Sequence, residues 1–301
     1  NIERELLMIR VGFVGYSLTM DCRSSKKFRL ASYSEERFCE TLESNLACLS
    51  EIMRYSVEQG MLHFRVSSEL VPFASHPVCT VDWQSRYADS FAALGAYARA
   101  HGMRLSTHPG QYTLINSTSE ATVDASIREL DYHAQIFDLM GIDATHKIQI
   151  HVGGIYGDKD ASIARFVENY RRLPPAVQRR LVVENDDRLY TVADCLRIHE
   201  AVGTPIVFDN LHHRLLNTGE EMAEAFERAR ATWTDARMMV DYSSQGDEKR
   251  IGAHADTLDE ADFRAFLAGV PARDFDCMIE IKDKDLSALK ALRLVEEVGV
   301  V

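Results

Sequence analysis

Short apolar runs alternate with longer amphipathic stretches along the whole chain, and this alternation restricts the fold more than any other property of the sequence. Eight runs resemble strands of a parallel sheet that is covered on both faces; they span residues 9–15, 63–67, 104–108, 147–152, 181–186, 205–210, 237–242 and 276–281. Helical periodicity is clearest in the stretches 34–60, 83–102, 119–141, 191–203 and 219–232. Eight strand-then-helix units predict an α/β protein, a single (β/α)8 TIM barrel, for which about 250 residues are typical.

The alternative with the same elements is an open, doubly wound sheet. That fold usually carries a glycine-rich G-x-G-x-x-G turn after its first strand. No such motif occurs here, where only Gly12 and Gly15 lie in and just after the first predicted strand. Because no linker or change in composition divides the chain, we expect one domain over residues 1–301. Residues 1–7 are predicted to be a flexible extension before Met8, a candidate natural start.

The composition is that of an ordinary globular protein, with 46% hydrophobic and 27% charged residues. A net charge of −12 argues against a protein that coats nucleic acid without specificity, although it leaves room for a local basic groove. The six cysteines are scattered without a C-x-x-C pair, so we expect neither a disulfide framework nor a thiolate metal site, and a reducing cytosol is the simplest compartment. Without a secretory signal or an apolar run of about 20 residues, we expect no membrane contact and a location in the bacterial cytoplasm.

Side chains with metal-binding chemistry stand at or after the ends of most of the predicted strands. From the second strand to the eighth they are His76, His108, His151, Glu184, Asp209 with His212 and His213, Asp241 with His254, and Glu280. In a (β/α)8 barrel these ends converge on one face, where the active sites of the fold lie. Imidazoles mixed with carboxylates suit Zn²⁺, Mn²⁺ or Fe²⁺. The pattern predicts a metal cluster at the C-terminal face of the strands.

Each of these residues alone also has a structural explanation. A single histidine at a strand end is more often a hydrogen-bonded structural residue, and Glu184 or Asp209 could cap the helix that follows. Six of the eleven histidines nevertheless fall at these ends, while the other five lie at strand starts, in helices or at helix ends. We therefore favour the metal cluster.

The motifs that contain these residues, taken in order, resemble the UV damage endonuclease family along nearly the whole chain. They are VPFASHP at 71–77, HPGQ at 108–111, HVGGIYG at 151–157, ENDD at 184–187 and FDNLHH at 208–213. The resemblance implies a manganese-preferring enzyme that incises the phosphodiester immediately 5′ to ultraviolet lesions, cyclobutane dimers and (6-4) photoproducts, and leaves 3′-hydroxyl and 5′-phosphate ends. In such an enzyme, metal ions generate hydroxide from water and neutralise charge on the attacked phosphate.

Carried over residue by residue, the resemblance assigns His108, His151 and Glu184 to a first metal ion. Glu184 would bridge to a second ion, completed by Asp209, Asp241 and Glu280. His212 and His254 would belong to a third, with His76 nearby. Glu184, His108, His151, Asp209 and Glu280 would carry the catalysis.

This chain departs from many relatives at the end of the seventh strand. Where those relatives have a lysine, carboxylated in some, and two residues later a histidine, this chain has Met239 and Asp241. Methionine cannot become a carbamate ligand, so a third ion loses a nearby anion. We expect two firmly held ions, with a third site in question. The oxygen-rich second site favours Mn²⁺ or Mg²⁺ over Zn²⁺, and Mn²⁺ is preferred, with Mg²⁺, Zn²⁺ and Co²⁺ as alternatives.

Gln111 and Tyr112 resemble the residues with which this family probes the gap left by an extruded lesion. A planar tyrosine can wedge between base steps, and a glutamine offers both a donor and an acceptor. Some relatives have a tyrosine and an asparagine where this chain has Phe13 and Ser17, and Tyr16 is a candidate substitute for the base contact.

Basic residues recur in the predicted loops on the metal face, and they form a candidate rim for phosphates in damaged double-stranded DNA. They are Arg23, Lys26, Lys27, Arg29, Arg214, Lys249, Arg250, Lys282 and Lys284. Nearby acidic residues, such as Asp158 and Asp160, weaken this prediction. We expect a monomer, because DNA would occupy the open face of the barrel. The remaining alternatives are an abasic-site endonuclease, a sugar isomerase on a similar barrel, and a protein that binds lesions but cuts them poorly.

Overall fold

The computed structural model describes residues 9–246 and 250–299, and its central feature is a closed barrel of eight parallel strands. Each strand pairs with the next, and β8 pairs with β1. The strands are β1 Arg10–Val14, β2 His63–Val66, β3 Arg104–Thr107, β4 Lys147–His151, β5 Leu181–Glu184, β6 Ile206–Asp209, β7 Met238–Tyr242 and β8 Phe275–Ile279. All eight predicted strands are present, and the (β/α)8 fold is confirmed. The predicted extension, residues 1–7, lies outside the described residues.

Helices occupy the connections between the strands. They are α1 Glu35–Glu58, α2 Trp83–Arg86, α3 Ala88–Ala100, α4 Glu120–Leu139, α5 Lys159–Tyr170, α6 Pro175–Gln178, α7 Val192–Val202, α8 Asn210–Leu215, α9 Met222–Arg230, α10 Glu260–Gly269 and α11 Asp285–Val298, with a short 3-10 helix at Leu30–Ser32. The prediction of one helix over 83–102 is wrong. Tyr87, whose buried ring directs its hydroxyl to Glu43 in α1 at 2.9 Å, has φ −114° and ψ 15°, and it separates α2 from α3.

Local sequence signals explain where several of these helices begin and end. The side chains of Ser34, Ser119 and Thr191 accept backbone N–H groups in the first turns of α1, α4 and α7, as N-terminal caps do. Gly203 ends α7 with φ +75°, a conformation that glycine adopts without steric cost. These helices face the barrel with their apolar sides and bury the outer surface of the strands.

The inside of the barrel is layered. Val182, Val207 and Met239 form a small apolar cluster against Trp233. Because side chains on a strand alternate between its two faces, the residues two positions further along these three strands face the same interior. Those residues are Glu184, Asp209 and Asp241. The strand register thus places an acidic layer directly above an apolar one.

A disulfide joins Cys22, in the connection between β1 and α1, to Cys48 in α1, and it corrects the expectation that the cysteines form no disulfide. The connection folds back on α1, where the side chain of Asn45 accepts the backbone N–H of Lys26 at 2.9 Å and donates to its carbonyl at 3.0 Å. This pairing brings together two cysteines that are 26 residues apart. The inference of a reducing compartment rested on unpaired cysteines and loses that support.

Candidate metal centre

Strand pairing brings the predicted metal-binding residues together at the C-terminal end of the barrel. His151 at the end of β4 is in register with Glu184 at the end of β5, and Asp209 at the end of β6 is in register with Asp241 in β7. Glu280 follows β8, where its backbone N–H donates to the carbonyl of Tyr242 at 2.8 Å. Parallel strands in register thus set these side chains at similar heights around one opening.

A first group of possible ligands consists of His108, His151 and Glu184, whose ligand atoms all lie within 4.8 Å of one another. The Nε2 atoms of His108 and His151 lie 3.2 and 3.5 Å from Oε2 of Glu184. Nδ1 of His108 lies 3.1 Å from the carbonyl of Pro109, so this nitrogen can donate there and leave Nε2 free as a ligand.

Glu184 is shared with a second group that contains Asp209 and His212. Asp209 caps helix α8, and its Oδ1 accepts the backbone N–H of His212 at 2.7 Å. Nδ1 of His212 lies 3.0 Å from Oε1 of Glu184 and 2.9 Å from the carbonyl of Asn185. Oδ2 of Asp209 is buried and has no hydrogen-bond partner among the described residues. A buried carboxylate oxygen left in this way fits a site that a cation would complete.

A third group consists of Asp209, Asp241 and Glu280, and two residues that the sequence reasoning missed lie against it. Arg65 from β2 contacts Asp241, with Nη2 2.7 Å from Oδ1, and also donates to Glu280. Gln149 from β4 donates through Nε2 to Asp241 and to Oε2 of Glu184, at 2.5 and 2.6 Å. The sequence did contain a signal for both residues. Charged or amide side chains recur at every second position of these buried strands, and such positions face the barrel interior.

The charges of this cluster are out of balance. Burial raises the pKa of Asp209 to about 7 and the pKa of Asp241 well above its usual range, against the opposing effects of His212 and Arg65. Burial alone would lower the pKa of His212, but Asp209 and Glu184 raise it to about 11. Four carboxylates therefore compete for too little positive charge, and this arrangement favours the binding of cations.

Three of the predicted histidines lie apart from these groups. His76 is exposed; its Nδ1 accepts the N–H of Val78 at 3.0 Å, and its ring packs against Phe73. His254 lies at the edge of the site, with Nδ1 3.9 Å from Oε2 of Glu280. The resemblance implied that His254 shares an ion with His212. In the structure His212 instead forms a group with Glu184 and Asp209, and His254 is not part of that group. His213 is buried, and its ring packs against Phe208.

Residues predicted to contact DNA differ in how accessible they are. Tyr112 is 81% exposed and Gln111 is also exposed, so Tyr112 does not pack under its own loop. Tyr16 is half-buried between Arg23 and Lys284, whose charged groups lie 4.1 and 5.5 Å from the centre of its ring.

The prediction that Ser17 contacts DNA is not supported by its position. Its side chain is buried, and its hydroxyl donates to Oδ2 of Asp285 at 2.7 Å. Ser17 therefore anchors the connection after β1 instead of facing the solvent.

Basic side chains of the predicted rim are exposed on the metal face, and several of them are paired with carboxylates. Lys26, Lys27, Arg29, Arg214 and Arg250 are exposed on the metal face. Two of them are paired with carboxylates, Lys27 with Glu69 and Arg214 with Asp262, and Lys282 is paired with Asp256. Lys249 lies outside the described residues.

A cleft of about 450 Å³ opens beside the carboxylates, and it is lined by Tyr16, Arg65, His108, His254 and Glu280, among others. Its volume lies within the range of small-molecule or nucleotide sites. A group bound in this cleft would touch both the candidate metal centre and the cation-flanked ring of Tyr16.

Sequence comparison identifies the family. The profile of the UV-endonuclease UvdE family matches residues 9–301. The chain belongs to this family. It is 33% identical to the UV DNA damage endonuclease of Bacillus cereus strain B4264, over 98% of this chain and 96% of that one. It is 30% identical to the UV DNA damage endonuclease of Clostridium perfringens strain 13, over 97% of this chain and 72% of that one.

Structural comparison agrees. The crystal structure of SacUVDE superimposes with a TM-score of 0.94 at 43% identity, over 97% of this chain and all of that one. Endonuclease IV from Thermus thermophilus has a TM-score of 0.58 at 13% identity, which shows a shared barrel fold. Sugar epimerases such as D-psicose 3-epimerase from Clostridium cellulolyticum have a similar score of 0.58 at 11% identity and likewise share only the fold.

These relationships favour one of the functional alternatives. Membership of the UV-endonuclease family supports a UV DNA damage endonuclease, a nuclease that acts on DNA. Buried groups of histidine, aspartate and glutamate that could hold metal ions stand at the C-terminal end of its barrel. None of the described helices is both long and apolar enough to cross a membrane.

Proposed function

We propose that this endonuclease hydrolyses the phosphodiester immediately 5′ to cyclobutane pyrimidine dimers and (6-4) photoproducts, and that it leaves 3′-hydroxyl and 5′-phosphate ends. The observation that carries the proposal is the sharing of Glu184 and Asp209 between neighbouring groups of ligands. Residues that belong to two adjoining groups would hold two divalent ions close together. We further propose that the enzyme acts in the cytoplasm, as a monomer, on damaged double-stranded DNA.

The ligand atoms select the kind of ion. His108, His151 and Glu184 would hold one divalent ion. Asp209 would hold another, together with His212 and Glu280 from the two groups that contain Asp209. Imidazoles combined with several carboxylates, and no thiolate, favour Mn²⁺. Such ions, when bound, lower the pKa of water and neutralise charge on a phosphate under attack.

The chain's own residues position the reaction. Pro109 and Asn185 offer backbone carbonyls to Nδ1 of His108 and His212, which fixes the orientation of both rings. The cap of α8 holds Asp209, and Gln149 holds Glu184. These contacts fix the ligands before a substrate arrives, so little reorganisation is needed during the reaction.

Exposed apolar side chains support DNA binding at the same end of the barrel. In the described part of the chain, the large apolar residues with substantial exposure are Leu18, Leu30, Tyr112, Tyr156, Ile251 and Leu286. All six lie in a connection after a strand or in the first turn of the helix that follows, and hence on the metal face. Apolar side chains that protrude in this way can enter base steps, and flipping costs least where pairing is already damaged.

The proposal is tested with a labelled duplex that contains one defined cyclobutane dimer, incubated with the enzyme and Mn²⁺. We expect a single nick immediately 5′ to the dimer, abolished by EDTA and absent from the undamaged duplex. The 3′ end should be extended by a polymerase, and a ligase should accept the 5′ end. Lesion-specific binding without incision at any Mn²⁺ concentration, or a nick elsewhere, would contradict the proposal.

A further inference from the structure

The guanidinium of Arg65 lies inside the acidic layer, and it neutralises the charge of one carboxylate there. We propose that Arg65 stands in for a metal ion opposite Asp241 and keeps this carboxylate from ligating one. The inference rests on the metal centre of the proposed function and specifies where its ions can lie. Arg65 would act as a positioning residue that limits the centre to two ions.

The hydrogen bonds of Asp241 leave little room for an ion. Oδ1 accepts from Nη2 of Arg65 at 2.7 Å, and Oδ2 accepts from the same nitrogen at 3.0 Å. Oδ2 also accepts from Nε2 of Gln149. Arg65 and Asp241 are 2% and 0% exposed, so water does not compete with these bonds. Both oxygens that could ligate a metal are already bonded to nitrogen donors.

Asp209 provides the contrast, because it lies beside Asp241 in the strand register and is equally buried. Its Oδ1 serves the helix cap, but its Oδ2 has no hydrogen-bond partner among the described residues. The two neighbouring aspartates therefore differ in the number of carboxylate oxygens that accept a hydrogen bond, and this number decides whether a metal ion can be ligated. Oδ2 of Asp209 accepts no hydrogen bond and lies 3.6 Å from Nδ1 of His212, whereas both oxygens of Asp241 accept hydrogen bonds.

Arg65 also reaches the rest of the centre. Its Nη1 donates to Glu280, and its Nη2 donates to Oε1 of Gln149 at 2.8 Å. Gln149 in turn donates to Oε2 of Glu184 at 2.6 Å. One guanidinium thus fixes the position of Asp241 directly and that of Glu184 through an amide. The planar fork of arginine suits this multiple contact, which a lysine could not reproduce.

The balance of charge supports two ions. Four carboxylates, Glu184, Asp209, Asp241 and Glu280, surround the site, and Arg65 neutralises one of them. Two divalent ions then exceed the remaining negative charge by one unit, which a phosphodiester group carries. A third ion would need a further anion, and Met239, two residues before Asp241, provides none.

The test compares Mn²⁺ binding to Asp241→Asn and Asp209→Asn, two matched changes at neighbouring buried aspartates. Free Mn²⁺ is measured by electron paramagnetic resonance during titration, so no nuclease activity is needed. We expect the wild type and Asp241→Asn each to bind two Mn²⁺, because Asp241 supplies no ligand; the unpaired charge of Arg65 should weaken binding to the variant by less than about tenfold. Asp209→Asn should lose one ion or bind it more than about tenfold more weakly. An equal loss in Asp241→Asn would overturn the inference.

Arg65→Met provides the complementary test, because it removes the cation and leaves the carboxylates in place. This variant should bind one Mn²⁺ more than the wild type, and Mn²⁺ should raise its melting temperature more. An unchanged stoichiometry would contradict the inference. If a single variant does not fold, the double variant Arg65→Met/Asp241→Leu replaces the buried ion pair by apolar groups. The double variant should still bind two ions, and the loss of one would show that Asp241 is a ligand. A wild type that binds no Mn²⁺ would refute the metal centre itself.

Discussion

The two ends of the barrel interior hold buried charges in opposite proportions. At the C-terminal end, four carboxylates share one guanidinium, that of Arg65. At the other end, one carboxylate, Asp276, is bonded by Arg10, Arg104 and Arg237 at 2.6, 2.7 and 3.2 Å. Burial alone would raise the pKa of Asp276, but Arg104 and Arg10 hold it well below its usual range.

The buried charges of the lower end stabilise the fold, whereas those of the upper end serve the binding of cations. The lower end is complete by itself, because its anion is bonded to cations of the same chain. The upper end has an excess of negative charge and an oxygen of Asp209 that accepts no hydrogen bond, which a cation from outside can satisfy. Such an arrangement costs stability in the free protein and gains affinity for cations. In a (β/α)8 barrel this is the expected division, since active sites lie at the C-terminal face.

The largest effect is expected for Glu184→Gln at the upper end, because Glu184 is shared by two ligand groups. Incision beside a defined dimer should fall by about 10⁴-fold, which corresponds to about 5 kcal/mol in the activation free energy. Asp160→Asn, at an exposed carboxylate in the first turn of α5 on the same face, should retain activity within about twofold. Equal losses in both variants would remove the distinction between the centre and the surrounding surface.

The next largest effect is expected for Asp276→Asn at the lower end. The change leaves three buried or half-buried arginines without their anion and should lower the free energy of unfolding by about 3–4 kcal/mol. Urea unfolding measures this loss. The folded fraction should still bind Mn²⁺ with the stoichiometry of the wild type. A loss of metal binding with unchanged stability would reverse the roles that we assign to the two ends.

A pH dependence should come from the lower end as well. Burial lowers the pKa of His146 to about 4, and its Nδ1 accepts the backbone N–H of Leu105 at 2.9 Å. The folded state keeps this imidazole neutral while the unfolded state binds a proton below pH 6.5, so stability should fall between pH 6.5 and 4. The loss should be at most about 3 kcal/mol, and His146→Asn should reduce it. Identical pH profiles of unfolding for both proteins would contradict this assignment.

The smallest effect is expected for Tyr112→Ala, which removes an exposed ring from the metal face. Loss of one base-stacking contact should weaken binding to a dimer-containing duplex by about tenfold. Tyr112→Phe keeps the ring and should bind within about twofold of the wild type. Fluorescence anisotropy with damaged and undamaged duplexes makes the measurement. Equal binding by the alanine and phenylalanine variants would show that the ring does not enter the DNA.

The features that depend on strand periodicity, namely the eight strands and the residues at their ends, could be predicted from the sequence. All eight strands are present, and register alone brings His151 beside Glu184 and Asp209 beside Asp241. His254 and His76 were placed less well, because they lie in long connections whose paths are not fixed by strand pairing. The disulfide of Cys22 was missed for the same reason.

Arg65 was missed on different grounds. Its strand was predicted correctly, but the apolar pattern did not show that its alternate positions point into an acidic layer. The partners of Arg65 lie 84 to 215 residues away in the chain, so only the closed barrel reveals them. A charged residue inside a fully buried strand was the signal that could have been used.

Anomalous diffraction at the manganese absorption edge, from crystals grown with Mn²⁺, would show directly where the ions bind. Two peaks about 3.5–4 Å apart are predicted at the C-terminal end of the barrel. One should lie among His108, His151 and Glu184, and the other beside Asp209 and His212, with Arg65 still bonded to Asp241. No peak at this end of the barrel, or a peak between Arg65 and Asp241, would contradict the account.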